Sequence, residues 1–188
     1  VLQMGEEPWR VFNVGLAGLD RIRSHPRCTR EALCRELDLE PAQPFLLVTF
    51  HPVTLEPGAQ DEQVALLLEA LERSGLAVVA TYPNADAGSA RIVAALEAFA
   101  GRQPARVRLL RNAGSRLYVD LLAHAAAMVG NSSSGISEAP SFELPVVNIG
   151  TRQDGAIKAA NVMDVGYAAE DIFAGIRRAT DGAFRAGL

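Results

Sequence analysis

The sequence predicts an α/β domain built on a doubly wound parallel sheet. Short apolar runs alternate along the chain with longer amphipathic ones, the rhythm of βαβ units. Several short runs are apolar at nearly every position, as strands covered on both faces must be. Five of them lead into loops that are polar, small or glycine-bearing: "HPVTLEPG", "PNADAGS", "RNAGS", "NSSSG" and "TRQDG". In folds of this class ligands bind beyond the strand C-termini, so these loops are expected to converge on one sheet edge.

A first strand is expected at "RVFNVG" (10–15), and a helix over "TREALCRELDL" with Thr29 as its cap. "PFLLVTF" (44–50) is the next strand. The helix "DEQVALLLEALERSG" after it ends on Gly75, the residue type that favours the left-handed conformation closing a helix. "LAVVATY" (76–82) is a strand, succeeded by a helix over "SARIVAALEAFAG" with Ser89 as its cap and Gly101 as its stop. The strand "RVRLL" (106–110) leads to a helix starting at Ser115, "SRLYVDLLAHAAA". The strands "AAMVG" (126–130) and "PVVNIG" (145–150) flank a helix of a turn or two from about Ser134, cut short by Pro140. "AEDIFAGIRRATDG" is a closing helix.

At 188 residues and 49% hydrophobic, the chain can bury one core, so residues 1–188 are read as a single domain. The formal charge of −4 argues against nucleic-acid binding, which normally shows a basic surplus, but leaves room for a local cationic pocket. No apolar run approaches the roughly 20 residues of a membrane span. Cys28 and Cys34 lie in a charged segment expected to be helical, without companions at metal-ligand spacing, and are read as reduced thiols of a cytoplasmic protein. No metal and no cofactor is expected. The opening "VLQMGEEPWRVFNVG" has neither an initial methionine nor a signal-peptide pattern, and the chain is expected to be a fragment.

The five loops carry the candidate chemistry. Ser132, Ser133 and Ser134 offer hydroxyl donors, Gly135 lets a backbone approach a ligand, and a helix N-terminus there would favour an anion such as a diphosphate. Alone, the stretch reads equally as a serine-rich helix cap. Glu138 either complements that helix end or accepts hydrogen bonds from two ribose hydroxyls, with Arg152 as countercharge. His51, directly after a strand, can move a proton near neutral pH or donate to a leaving phosphate oxygen. Glu56 is a second polar group in its loop. Asn84 and Asp86 serve either a polar ligand or a turn. His25 and His124 read as structural.

Together "TFHPVTLE", "TYPNADAGS", "VGNSSSGISEAPSF" and "PVVNIGTRQDG", in this order, resemble the UDP-N-acetylglucosamine 2-epimerase family. The similarity is to its hydrolysing branch, which makes N-acetylmannosamine and UDP for sialic-acid-type sugars. The non-hydrolysing branch typically has basic residues after the histidine, where this chain has "HPVT". The resemblance runs from about Gln3 to Val165. It implies a Rossmann-like C-terminal half of a two-domain GT-B-type fold, with the N-terminal half, which carries most of the catalytic carboxylates, absent. It further implies that Ser132, Ser133 and Ser134 hold the diphosphate, Glu138 the ribose and Arg152 a phosphate. Asn84 would line the nucleotide-sugar site, the backbone near Leu110 and Arg111 would meet the uracil, and His51 would be the catalytic histidine. The partners implied are a UDP-sugar and the missing domain, and a homo-oligomer remains open. This chain departs from the family at Ala156, where an arginine is usual, and at Ala160, where an acidic residue is usual, with Lys158 a partial replacement of the charge. These departures leave open a related N-acylated or 2,4-diacetamido sugar nucleotide. A GT-B glycosyltransferase domain and a non-catalytic sugar-nucleotide sensor are the alternatives.

Overall fold

The computed structural model describes residues 1–188 apart from the side chain of Arg21. Six strands form one sheet: β1 (Phe45–Thr49), β2 (Ala77–Thr81), β3 (Val107–Leu110), β4 (Ala127–Gly130), β5 (Val146–Ile149) and β6 (Val162–Val165). Their order is β3-β2-β1-β4-β5-β6, and every pairing is parallel. The chain winds one way from β1 to β3 and then the other way from β4 to β6. The order therefore reverses between β1 and β4, where a ligand crevice is expected.

Eight helices are described: α1 (Gly18–Ser24), α2 (Arg30–Glu36), α3 (Gln60–Ser74), α4 (Ser89–Arg102), α5 (Gly114–His124), α6 (Ser134–Ser137), α7 (Ala169–Ala179) and α8 (Gly182–Arg185). Alternation along the strands divides the core into two layers. Leu46 and Val48 of β1 join Leu67 and Leu71 of α3, Ile92 and Leu96 of α4, and Ile172 and Ile176 of α7. On the opposite face Phe45 and Leu47 join Leu33 of α2, Leu121 and Leu122 of α5, and Phe142. Each such leucine, fully buried, contributes about 1.5–3 kcal/mol relative to an exposed one.

Two caps behave as the sequence predicts. Thr29 accepts a hydrogen bond from the Ala32 N–H at the start of α2. Gly75 closes α3 at φ 67°, its N–H bonded to the Glu72 carbonyl. Other details differ. Ser89 is the first residue of α4 and Gly88 its cap. α5 begins at Gly114 and stops at His124, because Ala125 is already extended on the way into β4. Cys28 lies before α2 and only Cys34 within it, and both thiols are free.

The expected strand at 10–15 is absent. Pro8–Arg10 is a 3-10 turn, and residues 11–16 have no regular structure. Phe12 and Val14 are 77% and 82% exposed, so the apolar run has no neighbouring strand to pair with among the described residues. Conversely, β6 has no strong apolar run to announce it. It is a half-exposed edge strand with Asp164 at its third position, and an edge strand needs less apolar sequence.

Candidate functional site

Gly130 ends β4 at φ 142°, in a region that disfavours side chains, and a Cβ there would lie 2.0 Å from the Thr49 carbonyl oxygen. Glycine thus lets β1 and β4 approach closely where the sheet reverses order. Just beyond this point is a cavity of about 520 Å³, within the usual range for small-molecule sites. Its lining comes from the loops after β1 to β5, in agreement with the convergence expected from the sequence.

His51, Asn84, Arg111, Ser132, Ser133, Ser134, Glu138 and Arg152 all line this cavity. Leu110 and Gly135 do not. Leu110 is half-buried against the α5 layer. A Cβ on Gly135 would meet Val146 Cγ1 at 2.8 Å, so its small size serves packing of α6 on β5. Thr49, Thr81, Tyr82, Tyr118 and the segment 112–115 complete the lining. Of these, Tyr118 was detectable in principle, since it stands one helical turn from Ser115 on α5 and shares its face.

His51 is only 5% exposed. Its Nδ1 accepts the Asn84 backbone N–H at 3.0 Å. Burial, reinforced by the Arg152 charge and opposed by Asp86, lowers its pKa to about 4. At neutral pH the ring is therefore uncharged. With Nδ1 accepting, its single proton sits on Nε2, leaving a neutral donor.

α6 is a single turn, as Pro140 dictates. The Ser134 N–H is turned to Ser132 Oγ at 3.3 Å, and the N–H groups of Gly135 to Ser137 bond to carbonyls of Ser132 and Ser133. Ser134 Oγ is buried beside the Tyr118 hydroxyl, with no hydrogen bond of full geometry among the described residues. Below it Thr49 and Thr81 share a 2.6 Å hydroxyl–hydroxyl bond. Burial raises the Tyr118 phenol above its ordinary value, outweighing the opposite influence of the nearby Ser134 and Thr49 hydroxyls, so it stays protonated across the neutral range. Arg152 donates from Nη1 to the Asn131 carbonyl at 3.1 Å, and Arg111 lies over the Tyr82 ring.

The remaining sequence candidates sit elsewhere. Glu56 accepts hydrogen bonds from Gln63 Nε2 (2.6 Å) and Thr151 Oγ1, the second of which chiefly holds its carboxyl below the usual range. It ties the loops after β1 and β5 together and does not line the cavity. Asp86 flanks a neighbouring recess of about 340 Å³ with Arg152, Asp154 and Leu55. Ala156 and Ala160 are exposed. Lys158 donates to both Asp164 carboxylate oxygens at 2.9 Å, so it brings no charge to the cavity. Burial raises the Asp164 pKa, but hydrogen bonds from Lys158 and Asn148 outweigh it and hold the carboxyl low. His124 Nε2 is bonded to the Cys28 carbonyl oxygen, and His25 lies 3.8 Å from the buried Asp120.

A doubly wound parallel sheet with one polar cleft at its point of reversal defines the class, a Rossmann-like α/β domain. The chain belongs to the UDP-N-acetylglucosamine 2-epimerase family, whose model matches residues 1–186. It is 34% identical over 165 residues to a GDP/UDP-N,N'-diacetylbacillosamine 2-epimerase (hydrolyzing) of Campylobacter jejuni, covering 87% of this chain and 43% of that protein. It is 32% identical over 179 residues to a UDP-N,N'-diacetylbacillosamine 2-epimerase (hydrolyzing) of Legionella pneumophila, covering 95% and 47%. The chain thus spans a little under half the length of these relatives. Among solved structures, the S. aureus MnaA–UDP co-structure matches with a TM-score of 0.69 at 15% identity, over 98% of this chain and 48% of that one. That likeness is one of fold.

Proposed function

We propose that this chain is the UDP-binding, C-terminal half of a hydrolysing UDP-N-acetylhexosamine 2-epimerase. The observation that carries the reading is the cleft itself, where the serine loop faces the same cavity as His51, Glu138 and Arg152. Ser132 to Ser134 and Arg152 would hold the diphosphate, Glu138 the ribose hydroxyls, and the strand end at Leu110–Arg111 the uracil. Asn84 would contribute to the nucleotide-sugar wall. The relation to MnaA, solved with UDP, supports the ligand class.

The reaction suits this arrangement. A base removes the C2 proton, the C1–O bond to the diphosphate breaks, and a 2-acetamidoglucal forms. Water then adds hydroxyl to C1 and a proton to C2 with inverted configuration. Neutral His51, donating from Nε2, and the Arg152 charge suit the departing diphosphate. The base would come from the other half of the protein, so the fragment alone binds UDP without turnover. The two relatives named for N,N'-diacetylbacillosamine, together with Ala156 and Ala160, favour a 2,4-diacetamido sugar as the second reading of the substrate.

Calorimetry with UDP tests the binding site. Glu138→Ala and Arg152→Ala should each weaken UDP by about 10- to 100-fold, the equivalent of one charge-assisted hydrogen bond. Absence of UDP binding, or wild-type affinity in both variants, would refute it. Product analysis with the full-length protein tests the reaction. Free 2-epimerised sugar plus UDP is expected, whereas transfer to an acceptor marks a glycosyltransferase and intact substrate a sensor.

A further inference from the structure

The ladder between β1 and β4 ends at Thr49 and Gly130. His51 lies two residues beyond, buried, where the β4 chain has already turned away toward α6. Its main-chain groups are nevertheless paired, because Asn131 continues the ladder with a side chain. Asn131 Oδ1 accepts the His51 N–H at 2.7 Å, and its Nδ2 donates to the His51 carbonyl at 2.8 Å. A carboxamide offers one planar acceptor and donor pair, the same pair a neighbouring peptide would present.

Asn131 is 0% exposed, and its main chain is equally committed. Its N–H donates to the Thr49 carbonyl at 3.2 Å. Its carbonyl accepts from Arg152 Nη1 at 3.1 Å and from Gln153 Nε2 at 2.9 Å. His51 in turn accepts the Asn84 N–H. One buried residue therefore joins three of the five loops directly, those after β1, β4 and β5, and His51 links them to the loop after β2. His51 is held at its main chain by Asn131 and at its ring by Asn84, so the second bond sets its tautomer and the first places the ring to make it.

We propose that Asn131 is a positioning residue for the cleft, its side chain fixing the His51 main chain so that the ring meets the Asn84 N–H that sets its tautomer, and its carbonyl aligning Arg152. The consequence for UDP affinity rests on the cleft being the UDP site, while the effect on His51 needs no ligand.

The test compares Asn131→Asp and Asn131→Ala in the full chain, reading the His51 ring by nitrogen NMR and UDP affinity by calorimetry across pH. In the wild type the ring should remain the Nε2–H tautomer down to about pH 4. At neutral pH Asn131→Asp keeps the acceptor but loses the donor to the His51 carbonyl, and adds a negative charge. The other charged groups acting on the ring are Arg152 and Asp86. His51 should then titrate at higher pH, and UDP should bind about tenfold or more weakly, as when a supporting contact is lost. Acidification that protonates the introduced carboxyl recreates a donor beside an acceptor, and UDP affinity should recover part of the loss. Asn131→Ala should lose both without recovery. A wild-type His51 signal and titration in both variants, or an equal loss in both with no recovery on acidification, would overturn the proposal. Should Asn131→Ala fail to fold, Asn131→Asp measured on both sides of its own titration still decides. Should the wild type bind no UDP, the ligand reading falls while the NMR comparison still decides the role of Asn131.

Discussion

Gly130→Ala is the sharpest structural test of how the cleft is built. The added methyl would sit 2.0 Å from the Thr49 carbonyl oxygen and 2.7 Å from its carbon. Both are backbone atoms of a central strand, so no side-chain rotation relieves the contact. A φ of 142° adds a backbone cost of about 1–3 kcal/mol for any residue with a Cβ. Forcing the strands apart adds about 1–3 kcal/mol more, the usual range for overpacking. The loss should therefore be about 2–6 kcal/mol, a large share of the roughly 5–15 kcal/mol that typically holds a domain folded. Gly75→Ala is the matched control, since Gly75 also has positive φ, 67°, but nothing lies within 4 Å of its Cβ position. It should lose only about 1–2 kcal/mol, the cost of a left-handed residue. Urea denaturation of both variants and the wild type measures the difference, provided the slope is unchanged. Equal losses in the two variants would refute the claim that close approach of β1 and β4 demands glycine at 130.

Two further outcomes are expected. His51 has a folded-state pKa of about 4 against an ordinary value of 6.5, so between these values the unfolded chain binds more protons. The resulting stability is fully present above pH 6.5 and is lost as pH falls through 4, by about 3 kcal/mol; denaturation across pH should show this slope in the wild type and not in His51→Gln. Thr29→Ala removes the bond to the Ala32 N–H and should cost about 1 kcal/mol in a urea titration, with UDP affinity unchanged because α2 lies on the face opposite α3 and does not line the cavity.

Much of this fold is legible in the sequence because burial on both faces writes itself as uninterrupted apolar runs. β1, β2 and β4 are buried at every position and are readable as such. β6 escapes for the same reason reversed: at the sheet edge it is half exposed and carries Asp164, so no apolar run marks it. The stretch 10–15 misleads in the opposite direction, since β-branched and aromatic residues record a preference for extended backbone while a strand also requires a neighbour. The convergence of the loops is equally legible, because parallel topology puts every strand C-terminus at one edge. Contacts within the cleft are not. The role of Asn131 depends on β1 and β4 meeting at Gly130, an approach that no local pattern encodes.

The serine loop shows how these two kinds of information combine. Sequence alone rests an anion cradle here partly on a helix end, but Pro140 holds α6 to the four residues Ser134–Ser137. A single turn aligns too few peptides to present a substantial dipole. Its N–H groups from Ser134 to Ser137 are also already engaged within the loop and the turn. What the proposed site would then offer an anion is the hydroxyl set together with the Arg111 and Arg152 guanidinium groups. The proposed attraction would then come from discrete donors and the guanidinium groups of Arg111 and Arg152, the second held by the Asn131 carbonyl. Phosphate affinity should accordingly track the geometry of Asn131 and Arg152 more closely than the helicity of the segment after Ser133.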